Sequence, residues 1–558
     1  TAASRGYVPM SSRALSVLIV CGLLGVALLA GVKRENIGDY VRFEINSTQA
    51  VANSDQVLRN NKLDPASYQR AATITYTFDD YINEYLRRAI GISAANRVYR
   101  DQVPSAFWTV RYFRDSQKEE YTVVLRTDGS LHSIHHTFDE KTPGANLTKE
   151  EALARAEDYL RNQKQIDFSS WNVVETNSDK RPARTDHTIV WEQKSALDAA
   201  SVQPAVNGGA HIRMQLQVQG DEVSGYRVFV KIPDAWHDAE SRTTPGQIAQ
   251  TFGLVVLFGT AAITVLVIFF RSLKRPEITQ VPWRRLGKWA AWVLLAAIVT
   301  YANRVPQLLA NYATTMPLKT YYATLSISMI FLIALYFAAA YLALGLSWFF
   351  TGRTFGPDRI PSWLGMKAEY YRDAVMIGTF GAAALAGLNR VPGLFARWPL
   401  LRHSLGAAVP GSLDALNPAA GAIASGISSG LIALGLIGVI VGLIAAYVRP
   451  VWMRAAHVVL VAVLITTDVA TAGAFLRDAA FHLVILTAIW LIVTRVVRFN
   501  AMGYFLLAAM ISVVPVAVEL LQQPNAYFRM NGYAAVAFVL LLAGWPLKSW
   551  IRPKWRTL

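Results

Sequence analysis

A single cysteine in 558 residues, Cys21, excludes an intramolecular disulfide. It lies inside an apolar run with Val20 before it, where lipoprotein processing wants a small residue, so no lipid anchor is expected. Charge is scarce as well. Asp, Glu, Lys and Arg make up 16% of the chain against 53% hydrophobic residues, too apolar a balance for a soluble enzyme of this length. What the sequence has in abundance is uninterrupted hydrophobic stretches. Runs of about 20 apolar residues, enough to cross roughly 30 Å of hydrocarbon, recur along it and exclude secreted, collagen-like and disordered classes.

Ten spans are predicted, at about 14–32, 247–270, 286–302, 321–350, 373–389, 416–447, 455–474, 479–495, 501–521 and 531–547. The third is short and opens on tryptophan and lysine, compatible with an interfacial position. The first follows Arg13 as a signal peptide would. However, Leu15 to Val32 is longer than a usual signal core, and Lys33-Arg34-Glu35 is a poor cleavage site, so residues 1–32 are read as an uncleaved signal anchor.

The formal net charge of +16 is unevenly spread: residues 33–246 hold 27 basic and 30 acidic residues, and the rest of the chain holds 27 basic and only 8 acidic. With the N-terminus inside, twenty Lys and Arg fall in inner segments and seven in short outer loops, which predicts both termini in the cytoplasm of a bacterial inner membrane and residues 33–246 outside. Basic residues that punctuate hydrophobic spans predict no nucleic-acid partner.

Residues 33–246 read as an inserted α+β domain with a weak duplication, in units of about 60–140 and 147–235. The first starts at Asp64-Pro65, an N-cap followed by proline at the first helical position, and predicts a helix to about Ile92. Strands follow at 107–113, 121–126 and 131–138. The second starts at Thr148-Lys149-Glu150-Glu151, a capping box, with a helix to about Asn162 and strands at 172–175, 187–193, 212–219 and 226–232. Residues 247–285 form a second span and a basic linker, and 286–558 an eight-helix bundle. The expected fold class is thus a polytopic α-helical membrane protein of about ten spans carrying this inserted domain.

The stretch Thr148 to Leu160, preceded by the strand and turn of Val123 to Ile134, resembles a PepSY-type module. With Thr77-Phe78-Asp79-Asp80-Tyr81, Gln117-Lys118-Glu119-Glu120-Tyr121, the run from Lys180 to Thr188 and Val218-Gln219-Gly220-Asp221-Glu222-Val223, the layout resembles the CAAX-protease and bacteriocin-processing (CPBP) membrane family with an N-terminal PepSY-like extension. That resemblance implies an intramembrane metalloprotease site built from Glu-Glu-x-x-x-Arg, Phe-x-x-x-His and His-x-x-x-Asn or Asp, where a metal acidifies a bound water. The motifs are missing. No Glu-Glu pair occurs after residue 246, and neither His457 nor His482 has the required neighbour four residues before or after it.

In the bundle, Asp468, His482 and Glu519 are the set that would have to converge on a metal, with Arg477 and Asp478 as loop neighbours; the simpler reading pairs Asp468 and Glu519 with backbone or arginine. Glu369, Arg372 and Asp373 share a helix face and read as a solvated first turn. His132, His135 and His136 lie on a predicted strand whose alternation puts His135 opposite the other two, against a three-ligand site. Gly426, Gly430, Gly438 and Gly442 read as helix-packing glycines. The expectation is a scaffold or accessory subunit without catalytic residues or cofactor, contacting membrane lipid and binding a protein through its outer domain or bundle. The alternatives are a zinc metalloprotease with substituted ligands and a transporter.

Overall fold

The computed structural model describes residues 7–33, 35–197, 209–243, 245–272, 281–355, 366–391, 407–447, 450–466, 472–491 and 500–551. An apolar helix α1 (Ser12–Gly31) leads into the α+β domain. The first unit comprises α2 (Ser47–Asn60), β1 (Gln69–Tyr76), α3 (Asp80–Ala89), α4 (Ile92–Asp101), β2 (Ala106–Phe113), β3 (Glu120–Arg126) and β4 (Leu131–Thr137). The second comprises α5 (Lys149–Lys164), β5 (Trp171–Lys180), β6 (Thr185–Gln193), β7 (His211–Gln219) and β8 (Glu222–Lys231). Each unit is a helix on a four-stranded antiparallel sheet, ordered β1-β2-β3-β4 and β5-β6-β7-β8.

The helix predicted from Asp64 to about Ile92 is corrected by the structure. Asp64 caps a single 3-10 turn, Pro65–Ser67, after which Thr73-Ile74-Thr75-Tyr76, β-branched and aromatic, continues as strand β1. The helix of the first unit lies earlier, at α2, whose Asn46 and Gln49 form a reciprocal capping box. The duplication extends to detail: Asp167 caps a second 3-10 turn, Phe168–Ser170, just before β5. On α5, Ala152, Ala156 and Leu160 recur every fourth residue and bury against Trp191, Leu216 and Val218. Ala50 and Leu58 of α2 do the same against Trp108, Val110 and Val123. Gly220, at φ +63°, makes the tight β7–β8 turn that a side chain would strain.

A short α6 (Asp234–Ser241) leads to α7 (Pro245–Ser272), α8 (Trp283–Asn303), α9 (Val305–Ala310) and α10 (Leu318–Phe355). Then come α11 (Ala368–Met376), a π turn at Ile377–Gly381, α12 (Ala382–Leu388), α13 (Pro418–Tyr447), α14 (Val451–Leu464), α15 (Ala472–Leu491), α16 (Ala501–Leu521) and α17 (Ala526–Ile551). Among the described residues seven helices are long and apolar enough to cross a membrane, namely α1, α7, α8, α10, α13, α16 and α17. The chain is therefore read as a multi-pass membrane protein with an α+β domain.

Helix α13 is central, packing on α8, α10 and α16. Its glycines make this possible. A Cβ on Gly430 would come within 2.6 Å of the Phe505 ring of α16, and one on Gly442 within 2.5 Å of Phe350 on α10. Gly426 faces Val513 of α16 and Gly438 faces Ser347 of α10 in the same way. Gly430→Ala is expected to destabilise the protein by about 1–3 kcal/mol, because a backbone oxygen of Phe505 lies 3.0 Å from the new carbon and must also move. Gly544→Ala, with nothing within 4 Å, should be neutral or slightly stabilising. Thermal unfolding of the two detergent-solubilised variants checks the contrast.

Candidate functional site

The bundle residues singled out from sequence do not form one cluster among the described residues. Glu519, in the last turns of α16, accepts a hydrogen bond from the Gly411 amide at 3.0 Å, with the Ser412 amide beside it. His482 lies on α15 with its Nδ1 3.8 Å from Asp478 Oδ1, one turn away on the same helix. Asp478 is corrected from a loop residue to a buried helical one. Helix α15 packs on α14, and α14 on α7, whereas α16 packs on α13 and α17. Asp468 lies outside the described residues. Glu369 is in the first turn of α11 as expected, but its neighbour Asp373 is no solvated residue: its side chain is wholly buried.

Asp373 is where the N-terminal segment is fastened. Its Oδ2 accepts from the Tyr7 hydroxyl and the Met10 amide, both at 2.7 Å, while its Oδ1 takes Arg372 Nε at 2.9 Å. Asn500 Nδ2 donates to the Tyr7 oxygen at 3.1 Å and to the Tyr370 carbonyl at 3.0 Å. Burial pushes the Tyr7 phenol well above its ordinary pKa, so it is a fixed donor to the carboxylate.

The second constellation is the junction of the α+β domain with the bundle. Arg111 of β2 pairs through Nε with Glu120 at 3.0 Å, and its Nη1 donates to the carbonyls of Ala310 at 2.9 Å and Tyr312 at 2.6 Å, at the C-terminal end of α9. Asp115, at the tip of the same hairpin, accepts from the Leu318 amide at 2.8 Å and so caps α10 from another part of the chain. That amide holds the Asp115 carboxyl below the usual carboxylate range. Phe43 N donates to Gln523 Oε1 at 3.0 Å, and Tyr76 donates to the Pro410 carbonyl at 2.6 Å. Apolar packing is continuous across the boundary: Phe43 and Trp108 share one buried cluster with Leu413, Leu520 and Phe528. Domain and bundle are thus joined by buried surface as well as by polar clasps.

The third constellation is the seam between the two units, where β4 lies against β8. His136 spans it, with Nδ1 2.9 Å from Glu222 and Nε2 3.0 Å from Glu119, its ring stacked on Tyr121 at 4.1 Å. His132 and His136 are both buried, but the expectation that they share a face is corrected: a bulge shifts the β3–β4 register at His132 and turns it onto Phe107, on the opposite face of the sheet from Tyr121, on which His136 stacks. Burial, with Lys164 and Arg126 nearby, pushes His132 down to about 3, so it stays neutral between the rings of Phe107 and Tyr226. Burial lowers His135 too. No group of three or more His, Cys, Asp or Glu suited to a metal occurs among the described residues.

The seam and the junction together settle which sheet edges are open. β1 is covered by α9 and by Asp414, whose Oδ2 accepts from the Ile74 amide at 3.3 Å. β4 and β8 cover each other. β5 is left as the edge with no strand partner among the described residues, and it exposes Val173 and Val174 at 43% and 44%. Compared with known proteins, the chain matches no family model, no curated protein and no solved structure.

Proposed function

We propose that this chain is a non-catalytic, CPBP-like membrane scaffold or accessory subunit whose PepSY-like pair of units binds an extended segment of a partner protein along β5. In this reading residues 33–246 face away from the cytoplasm of a bacterial inner membrane and both termini lie inside. The observation that carries the proposal is the one sheet edge left open among the described residues. Three of the four terminal strands are covered, by the bundle or by each other, whereas the outer edge of β5 pairs with no strand among the described residues and lies next to two exposed valines. An added strand would satisfy that edge through main-chain hydrogen bonds and cover the valines. The clasped junction supports the scaffold role, because a partner held at β5 is then held in a fixed relation to the membrane helices.

A photocrosslinking side chain at Asn177, on the exposed part of β5, tests this in native membranes. One protein should be captured, and the pair of substitutions Val173→Lys and Val174→Lys should reduce its co-purification about tenfold by placing charge on the contact. Undiminished co-purification with the lysine pair, or capture only from sites on the bundle, would overturn the assignment. Stoichiometric zinc in the purified protein, lost in Asp468→Ala or Glu519→Ala, would replace the scaffold reading with the metalloprotease one.

A further inference from the structure

A cavity of about 400 Å³ lies between α8, the first turns of α13 and the 411–418 loop. Its walls change character along the helix axes. Val293 and Ala297 line the deep half, and Asn303, Arg304 and Gln307 line the mouth nearest the α+β domain. On α13 the lining runs from Pro418 to Ser428, which at 1.5 Å per residue is a depth of about 15 Å. Close glycine contacts fix the levels. Gly287 of α8 lies against Tyr341 of α10 and Gly435 of α13 lies against Ala343 of α10, so Val293, Tyr336 and Ser428 share the deep level while Arg304 and Pro418 share the shallow one.

Two hydroxyls on the slot wall already have backbone acceptors. Thr300 donates to the Ala296 carbonyl at 2.8 Å and Ser428 to the Ala424 carbonyl at 2.9 Å, so the deep half makes little polar demand on a guest. Arg304 differs: among the described residues it is the only Lys or Arg in the lining, and it makes no side-chain hydrogen bond or ion pair with any of them. Tyr336, which lines the deep end, is also 48% exposed on the outer surface of α10, so the slot communicates with the lipid-facing side of the bundle.

We propose that this slot binds an anionic amphiphile of the surrounding bilayer, with its alkyl chain along Val293 and Ala297 and its head group on Arg304. The order of the lining, apolar toward the membrane interior and cationic at its edge, is the order of polarity in such a lipid. A soluble anion would leave the apolar half uncovered, and a zwitterionic head group would bring a second cation toward Arg304. The roof of the slot is the loop that reaches β1 through Pro410 and Asp414, so the guest would sit directly beneath the domain junction.

The full-length protein in phosphatidylcholine nanodiscs, labelled with a fatty acid carrying a diazirine at the end of its chain, tests the assignment. Adducts should map to the lining positions Val293, Ala297 and Thr300 on α8 and Gly421, Ser425 and Ser428 on α13. Phosphatidylglycerol should compete with the label and additional phosphatidylcholine should not. Arg304→Gln should weaken labelling about tenfold, as expected for loss of one charge-assisted contact. Ala297→Trp should block the slot, with Ala297→Leu as a smaller obstruction in case the tryptophan variant does not fold. Adducts confined to lipid-facing positions such as Leu295 and Ile298, or labelling indifferent to Arg304→Gln, would overturn the proposal. Displacement by inorganic phosphate as effective as that by phosphatidylglycerol would overturn it too, because it would identify a soluble anion as the ligand.

Discussion

Asp373→Ala is expected to be among the most damaging single substitutions in the chain. The aspartate side chain is wholly buried, and its removal leaves the Tyr7 hydroxyl, the Met10 amide and the Arg372 guanidinium without their acceptor. The cost should be about 3 kcal/mol, chiefly because the Tyr7 and Met10 donors are left unsatisfied, whereas the Arg372 side chain, a quarter exposed, can turn to water. Tyr7→Phe removes one of these bonds and should cost about 1–2 kcal/mol. Glu369→Ala, one turn away in the first turn of α11, should change little. Thermal unfolding of the three variants in detergent measures the ranking, and an Asp373→Ala protein as stable as Glu369→Ala would refute the fastening role.

Acidification should loosen the seam between the two units, and most of the effect should pass through His132. Its pKa falls from the ordinary 6.5 to about 3 in the folded protein, so between those values the unfolded chain binds a proton that the folded chain does not. Stability therefore decreases as pH falls below about 6.5, by about 1.4 kcal/mol per unit from this residue, until the folded form also protonates near 3. His135, also lowered by burial, acts in the same direction. The groups facing His132 are Lys164, Arg126, His135 and the rings of Phe107 and Tyr226, none of which would stabilise an imidazolium strongly. His132→Phe, an apolar ring among rings, should flatten the acid slope while leaving stability at pH 8 nearly unchanged. Hydrogen exchange of the β4 and β8 amides at pH 7.5 and pH 5 is the direct measurement. An identical pH dependence in the variant would show that the acid response originates elsewhere.

Much of the architecture was legible in the sequence because its signals are local. Seven of the ten predicted spans fall on described helices long and apolar enough to cross a membrane; the fifth falls on α11, the π turn and α12 together, and the seventh and eighth are followed to Leu464 and Leu491. The capping box at Thr148 and Glu151 opens α5 as expected, and the predicted strands fall on β2 to β8, although β5 runs on to Lys180 and β8 starts already at Glu222. The first unit departs from the expected helix because Asp64-Pro65 starts a 3-10 turn and an α-helix equally well; only the β-branched run that follows distinguishes them. The start of α2 is also marked locally, by the reciprocal capping box of Asn46 and Gln49. Asp373 illustrates a different limit. Spacing along a helix shows which residues share a face, but that face is covered here by residues more than 360 positions earlier in the chain. The junction was invisible for the same reason, since Arg111 and Asp115 look like ordinary hairpin charges until α9 and α10 are placed beside them.

The junction also sets a timetable for biosynthesis. Phe43 receives its Gln523 contact from a residue 480 positions later, and the apolar cluster around Trp108 is completed by Leu520 and Phe528. At about 5–20 residues per second, a ribosome needs roughly 25–100 s between making one side of that contact and the other. Throughout that interval Phe43 and its neighbours face water, and α1 waits for Phe380 and Gly387, against which its Gly22 and Gly25 later close. The domain must therefore either fold into a provisional surface that tolerates exposure or be shielded by another protein until α16 and α17 are inserted.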